Sequence, residues 1–311
     1  MKGINMSLTS AHWGTYHAHV QDGRLTGLSP FTEDADPSEI GKGIVDVIDN
    51  ESRISGPMIR KSWLEFGPGS CPERRGLDPF VRVGWDKANQ IVAEELNRVI
   101  KTFGNEAIYA GSYGWASAGR FHHAQSQLHR FLNSVGGYTK SVNTYSFAAA
   151  EVILPHVIGS FRDYIYNQTS WKSVRDHCKL FVAFGGVPLK NGQISQGGLG
   201  RHIQKESLLA AHENGVEFIS ISPLRADMIE DVKADWVRIR PNSDAALMIG
   251  ICHVLLDEGL HDQVFLDRYC VGFAKFADYL KGSVDGVIKD AVWAANICAI
   301  DAEMIKTLAR R

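Results

Sequence analysis

The chain has 311 residues, of which 44% are hydrophobic and 22% charged, an ordinary globular composition that excludes a disordered or fibrous protein. Its 33 basic and 35 acidic side chains leave a net charge of −2, too balanced for a nucleic-acid or membrane-surface protein, which needs a positive field. The five cysteines, Cys71, Cys178, Cys252, Cys270 and Cys298, form no CxxC pair, so neither a zinc ribbon nor an iron–sulfur cluster is written in the sequence.

Residues 1–66 are rich in Gly, Pro, Asp and Ser and show little periodicity. They read as an irregular cap with short β-like pieces at His17–Val20 and Pro57–Trp63. Helical spacing begins at Asp86: Ala88, Ile91, Val92, Leu96, Val99 and Ile100 recur on one face, and Gly104 supplies the stop. A short strand, Ala107–Ala110, leads into the turn Gly111-Ser112-Tyr113-Gly114-Trp115. A second helix carries Phe121, Ala124, Leu128, Phe131 and Leu132 and ends at Gly136-Gly137. A third runs from Phe147 to about Pro155.

From Lys179 the pattern is that of a nucleotide-binding fold. Leu180–Phe184 is a continuous apolar run ending in Gly185-Gly186, as a buried parallel strand should. A helix follows around Gly200–Asn214, then a strand over Val216–Ile221 that ends in Ser222-Pro223. A third strand, Trp236–Ile239, precedes Pro241-Asn242-Ser243-Asp244 and a long helix to about Glu258, for which Asn242 or Ser243 is the expected N-cap. Beyond residue 260 the chain reads as helices at His261–Cys270, Phe273–Leu280, Val287–Cys298 and Ala302–Leu308. The fold class is therefore α/β: an irregular N-terminal cap over 1–66, a first open α/β region over 67–172, and a second, nucleotide-binding one over 173–311. With about three strands in the second sheet, where doubly wound sheets have five or six, the fold reads as truncated at its C-terminus.

Ligands of open α/β sheets bind outside the carboxyl ends of the strands. Three successive ends here carry Gly185-Gly186 with Lys190, then Ser222-Pro223-Leu224-Arg225, then Pro241 with Asp244. Glycines let the backbone approach a phosphate, Lys190 and Arg225 would neutralise a diphosphate, and Asp244 would accept from the N–H groups of a purine. Each end alone is more simply a turn or a cap; the succession of three favours a nucleotide-like ligand. NAD is excluded, because GxGxxG is missing after the first strand and no acidic residue closes the second. The histidine groups (His17 with His19; His122, His123 and His129) lack the spacing of a helical zinc site. No Gly-x-Ser-x-Gly elbow is present either. The N-terminus shows no apolar export segment and no Arg-Arg pair, and no apolar run reaches the ~18 residues of a membrane span. The chain as given reads as cytoplasmic, with a periplasmic setting left open if residues precede Met1.

The segment Ala110–His123, AGSYGWASAGRFHH, resembles the active-site turn of the dimethyl sulfoxide/trimethylamine N-oxide/biotin sulfoxide reductase family of molybdopterin oxidoreductases. Gly136–Gly159, GGYTKSVNTYSFAAAEVILPHVIG, resembles the family segment that carries a molybdenum-binding serine. SAHWG at Ser10–Gly14, PMIRKSWL at Pro57–Leu64, FVRVGWDKA at Phe80–Ala88, QTSW at Gln168–Trp171, ISPLRAD, PNSDAALMIGI and YCVGFAKFADYL extend the likeness in collinear order along nearly the whole chain. The resemblance implies a bis(molybdopterin guanine dinucleotide) molybdenum cofactor with no Fe–S cluster. It also implies Ser146 as the metal ligand, and Tyr113 and Trp115 as catalytic residues beside the transferred oxygen. Gly185, Gly186, Lys190, Ser222, Pro223, Arg225, Pro241 and Asp244 would line the guanine dinucleotide. The implied reaction is oxygen-atom transfer from a small S- or N-oxide, with electrons from an external donor. Tyr113 favours sulfoxides, because dedicated amine N-oxide reductases of the family tend to lack that tyrosine. Where family members often read Gly-Asp-Tyr-Ser-Thr-Gly-Ala-Ala-Gln, this chain has Asn143-Thr144-Tyr145-Ser146-Phe147-Ala148-Ala149-Ala150-Glu151, so the Asp and Gln of that pattern are absent. Family members also continue well past this length, and the chain as given is too short to be active alone. Two other readings stand beside the reductase: a truncated, non-catalytic remnant that at most binds the cofactor nucleotide, and a generic nucleotide-binding α/β protein.

Overall fold

The computed structural model describes residues 5–70, 72–112, 123–144, 146–195 and 198–311. The chain divides into two compact units, Met1–Asn167 with Gln193–His202, and Gln168–Gly192 with Ile203–Arg311.

The first unit opens not with an irregular cap but with a regular antiparallel meander, β1 (Asn5–Ala11), β2 (Gly14–Gln21) and β3 (Arg24–Pro30). Its second turn is Asp22-Gly23 with both φ positive, +49° and +78°, the dipeptide that favours a tight hairpin between right-twisted strands. Tyr16 and Ala18 alternate inward along β2, and the Tyr16 hydroxyl donates to the Ser38 carbonyl at 3.0 Å. Next come α1 (Ile40–Val47), β4 (Met58–Arg60), α2 (Lys61–Phe66) and β5 (Phe80–Arg82), with β4 antiparallel to β5. The predicted long helix is α3 (Trp85–Phe103), closed by Gly104 at φ +83°. β6 (Tyr109–Ala110) and β7 (Thr139–Lys140) form a short parallel pair around α4 (Ala124–Ser134); α5 (Ala148–Ile153) and α6 (Phe161–Tyr166) follow.

Buried polar pairs do much of the tying in this unit. Asp34 accepts from the His202 backbone N–H at 3.1 Å and meets His202 Nδ1 at 2.7 Å, holding residues separated by 168 positions. Asp78 stands at the start of α2, accepting from the Ser62 backbone N–H at 3.2 Å and from the Ser62 hydroxyl. These bonds from Ser62 hold the Asp78 carboxyl below the usual carboxylate range, against the opposing effect of its desolvation.

The second unit is an α/β/α sandwich. α7 (Trp171–His177) precedes β8 (Leu180–Phe184); α8 (Leu189–Gly192) and α9 (Gln204–Glu213) lead to β9 (Glu217–Ile221), and β10 (Asp235–Val237) completes a parallel sheet in the order β10-β9-β8. The sequence thus locates the strands correctly, with β10 shifted slightly toward the N-terminus. α10 (Asp244–Asp257), α11 (Gln263–Tyr269), α12 (Phe273–Leu280), α13 (Ala291–Cys298) and α14 (Ala302–Arg310) follow. α13 starts later than the predicted Val287, because Asp290 caps it by accepting from the Trp293 N–H at 2.7 Å.

β9 is buried on both faces. Ile219 and Ile221 pack with Val237, Leu247, Ala294 and Ile305 of the helices on one side, while Phe218 packs with Leu208, Ala211, Met228 and Val232 on the other. Gly250 brings α10 close to α13: a Cβ there would stand 2.5 Å from that of Ala294. No helix among the described residues is long and apolar enough to cross a membrane.

Two expectations follow. Leu208 is fully buried and Val264 of α11 is 77% exposed. Leu208→Ala should cost about 2–5 kcal/mol in urea unfolding, and Val264→Ala about 0.5 kcal/mol or less. Because Asp78 titrates lower in the folded chain than in the unfolded one, its contribution is complete above the ordinary carboxylate range near pH ~4 and fades as pH falls through and below it. Urea midpoints measured from pH 7 to pH 3 should fall for the parent, and Asp78→Asn should be less stable at pH 7 with a flatter decline.

Candidate functional site

The register of the second sheet creates the candidate nucleotide edge. Phe184 pairs with Ile221 and Ile221 with Val237, so the three parallel strands end flush. The ladder extends one step further: the Gly185 N–H donates to the Ile221 carbonyl at 2.8 Å and the Ser222 N–H to the Val237 carbonyl at 3.2 Å. Gly185-Gly186 and Ser222-Pro223 therefore leave the sheet side by side. Gly185 and Gly186 adopt φ of +83° and +73°, conformations that admit glycine readily and other residues only with strain. A Cβ on Gly186 would also collide with the Asp227 carbonyl oxygen, which accepts from the Val187 N–H at 2.7 Å.

The cations expected from the sequence stand at this edge. Lys190 lies in α8 with its side chain 72% exposed, its Nζ 3.9 Å from Asp227 Oδ1. Arg225 opens a 3₁₀ turn, Arg225–Asp227, and is exposed without an ion pair among the described residues. At the third strand, Asn242 takes a left-handed φ of +65° after Pro241 and Ser243 is the N-cap of α10. Its hydroxyl does not cap the helix; it donates backwards to the Arg240 carbonyl at 2.7 Å. Asp244 is the first residue of α10, half-buried, and its carboxylate makes no hydrogen bond among the described residues.

Ser222 is present at the edge but completely buried, and its hydroxyl proton goes to Asp227 Oδ2 at 2.5 Å. The Ser222 hydroxyl oxygen accepts from the Leu224 N–H at 3.2 Å, and the Ser222 carbonyl accepts from Trp236 Nε1 at 2.9 Å. Asp227 is thus a central residue of the edge that the sequence reading passed over. It lies six residues beyond the end of β9, and only the fold-back of the 3₁₀ turn brings it to that strand end.

In the first unit, the two segments singled out by resemblance leave a parallel pair at the same end. Tyr109 pairs with Thr139 and Ala110 with Lys140, and the Ser141 N–H donates to the Ala110 carbonyl at 3.2 Å. Gly111 packs so closely on Ser141 that a Cβ would strike the serine hydroxyl. Gln125 fixes the start of the first turn by donating to the Ser112 carbonyl at 2.8 Å. Tyr113 and Trp115 lie outside the described residues. Ser146 is exposed in the turn before α5, after Asn143 at φ +61°, and its N–H donates to Thr144 Oγ1 at 3.3 Å. In α5, Glu151 Oε2 is buried with no hydrogen-bond partner among the described residues. An open apolar groove of about 640 Å³ between Ile54–Met58, Phe80 and Trp85 contains none of the candidate residues.

Replacing Gly186 with Ala should cost about 1–3 kcal/mol, from left-handed strain and collision with backbone, whereas Gly185→Ala has open space and carries only the strain, about 1 kcal/mol. Urea titrations of the two variants would show the difference, and equal costs would contradict the packing described.

Comparison with known proteins gives the same direction. The family model for molybdopterin oxidoreductases matches residues 53–306, and that for the molybdopterin oxidoreductase N-terminal domain matches residues 9–49. The chain is 40% identical over 303 residues to the dimethyl sulfoxide/trimethylamine N-oxide reductase of Cereibacter sphaeroides, covering 97% of this chain and 37% of that one. It is 41% identical over 283 residues to the biotin sulfoxide reductase of the same organism, covering 91% and 38%. The trimethylamine-N-oxide reductase of Haemophilus influenzae is 38% identical over 307 residues, covering 97% and 36%. Among solved structures, acetylene hydratase from Pelobacter acetylenicus superposes with a TM-score of 0.63 at 23% identity, over 95% of this chain and 36% of that one, a likeness of fold. The chain thus spans a little over one third of the length of the curated relatives it matches, and by its family-model match it belongs to the molybdopterin oxidoreductases.

Proposed function

We propose that these residues form part of a molybdenum-dependent S- or N-oxide reductase that holds a bis(molybdopterin guanine dinucleotide) cofactor. The observation that carries this reading is the flush parallel edge. It joins two left-handed glycines, two exposed cations and the Asp244 carboxylate at the carboxyl ends of three successive strands, in a chain of this family. The donor set suits a guanine dinucleotide. Gly185 and Gly186 let backbone approach a diphosphate, Lys190 and Arg225 neutralise it, and Asp244 accepts from guanine N–H groups while Pro223 and Pro241 shape the walls. In the first unit, Ser146 would hold the metal through its deprotonated hydroxyl.

When bound, that group supplies a two-electron metal centre able to take an oxygen atom from a sulfoxide or amine N-oxide. The chain's own residues do the positioning. On the family resemblance, Tyr113 would donate a hydrogen bond to the oxide oxygen, and Trp115 would stand beside the same oxygen. A contact to the transferring oxygen is worth most in the transition state, so it appears in rate as well as in binding. Two protons and two electrons complete each turnover, the electrons coming from an external donor. The names of the relatives support small S- and N-oxides as substrates. On this reading residues 67–172 carry the metal-ligand segment and residues 173–311 the nucleotide edge.

Elemental analysis of the longest polypeptide that carries these residues should find molybdenum, and Ser146→Ala should abolish turnover. Absence of the metal from active protein, or parental activity in the serine variant, would overturn the proposal. In the same protein Tyr113→Phe should depress sulfoxide turnover more than amine N-oxide turnover; an equal loss removes the substrate preference and leaves the rest. The 311 residues alone, covering about 37% of a relative's length, are expected to bind without turning over.

A further inference from the structure

His202 is buried in the first unit, where it meets the loop that follows β3. Its ring bridges two oxygens. Nδ1 stands 2.7 Å from Asp34 Oδ2, and Nε2 stands 3.2 Å from the carbonyl oxygen of Gln193, nine residues back. The His202 and Asp34 side chains are 2% and 1% exposed. Asp34 is engaged at its other oxygen too: Oδ1 accepts from the backbone N–H of His202 at 3.1 Å and from that of Asp36 at 3.3 Å. The Gln193 side chain donates to the Asp36 carbonyl at 3.2 Å. Between Gln193 and His202, the Ser195 N–H donates to the His12 carbonyl at 2.7 Å and the Leu199 N–H to the Ala11 carbonyl at 3.2 Å.

Both oxygens that face the ring can only accept. A backbone carbonyl has no proton to give, and neither has a carboxylate. A neutral imidazole has one N–H and one lone pair, so it satisfies one of these oxygens and turns a lone pair on the other. The doubly protonated ring donates to both. In a site with almost no exposure, a bond lost here is not replaced by bulk water. The other titratable groups around the pair do not stand in for the ring. Burial, helped by the charges of Asp34 and Glu39, pushes the Tyr16 phenol up, and its proton goes to the Ser38 carbonyl. Asp36 and His12 meet these residues through their backbones, and Arg201, next to His202 in the chain, is exposed.

We propose that Asp34, Gln193 and His202 form a pH-responsive clasp, closed while the imidazole carries both protons and loosened when it gives one up. The direction follows from the donors. A proton added to the ring supplies the second N–H, so lower pH favours the closed clasp until the Asp34 carboxylate itself takes up a proton. A proton lost at higher pH breaks one of the two bonds. The sign is opposite to that of Asp78, whose contribution fades as pH falls. None of the three residues belongs to the strand-end edge or to the metal-ligand segment, so the clasp stands independently of the proposed reaction.

The test is magnetic resonance of the 311-residue chain labelled with nitrogen-15. At pH ~6 both ring nitrogens of His202 should show the shifts of a doubly protonated imidazole. Amide hydrogen exchange then reads the clasp itself. Relative to free-peptide rates at the same pH, protection of the Leu199 and His202 N–H groups should fall at least roughly 10-fold between pH ~6 and pH ~9, while that of Ile219 and Ile221 in β9 stays constant. His202→Gln, which offers a donor but no titrating proton, should remove this pH dependence. A singly protonated His202 ring at pH ~6, or protection in the parent that does not change with pH, would overturn the proposal. A folded His202→Gln variant with the parental pH dependence would overturn it as well. Should that variant fail to fold, the ring shifts and the exchange of the parent decide alone.

Discussion

The flush ending of three parallel strands is the constraint on which the second unit depends. Parallel strands are covered on both faces, and β9, with Phe218 and Ile221 on opposite sides, is apolar in both directions. The chain must then return to the opposite end of the sheet before each new strand, so every segment that follows a strand starts at the same edge. Gly185, Ser222 and the turn before Asp244 are neighbours for this reason and not through any attraction among themselves. Local chemistry refines the arrangement: Asp227 ties the second strand's exit to the first through Ser222 on one side and the Val187 N–H on the other.

The two units are stabilised by different means. The second contains both apolar clusters found among the described residues, each anchored by side chains with almost no exposure. The first relies more on buried polar pairs that act over long stretches of sequence. Asp34 holds the backbone and ring of His202, and Asp78 supplies at a distance the cap that Arg60, at the N-cap of α2, cannot. Such pairs are geometrically demanding, since removal of one partner leaves a desolvated polar group behind. Its longest helix, α3, keeps much of its apolar stripe only half-buried, with Val92 54% exposed.

How much of this was legible in the sequence follows from what each element is made of. β8 is five apolar residues closed by Gly185-Gly186 and is located to the residue, because continuous hydrophobicity ended by a turn has few other meanings. Of the first unit's meander only His17–Val20, inside β2, is legible as β-like, although Asp22-Gly23 is the strongest short hairpin signal available. Histidine, threonine and glycine blurred the alternation around it. Of the candidate edge, the glycines were visible because they sit directly at a strand end, and Lys190, Arg225 and Asp244 because they are the charges that a nucleotide calls for within seven residues of one. Asp227 was not: its place depends on a 3₁₀ fold-back that has no periodicity to betray it. Nor could the pairing of Asp34 with His202 be read, since nothing local in either segment names the other.

The narrow crossing of α10 over α13 has a consequence far from where it occurs. Gly250 lies six residues after Asp244, and its missing side chain is what lets the helix rest against Ala294. A rigid rod transmits a shove at its middle to its tip. One added methyl at this crossing would lever the opening turn of α10 outward and carry the Asp244 carboxylate with it, reshaping the strand-end edge while every residue of that edge stays the same.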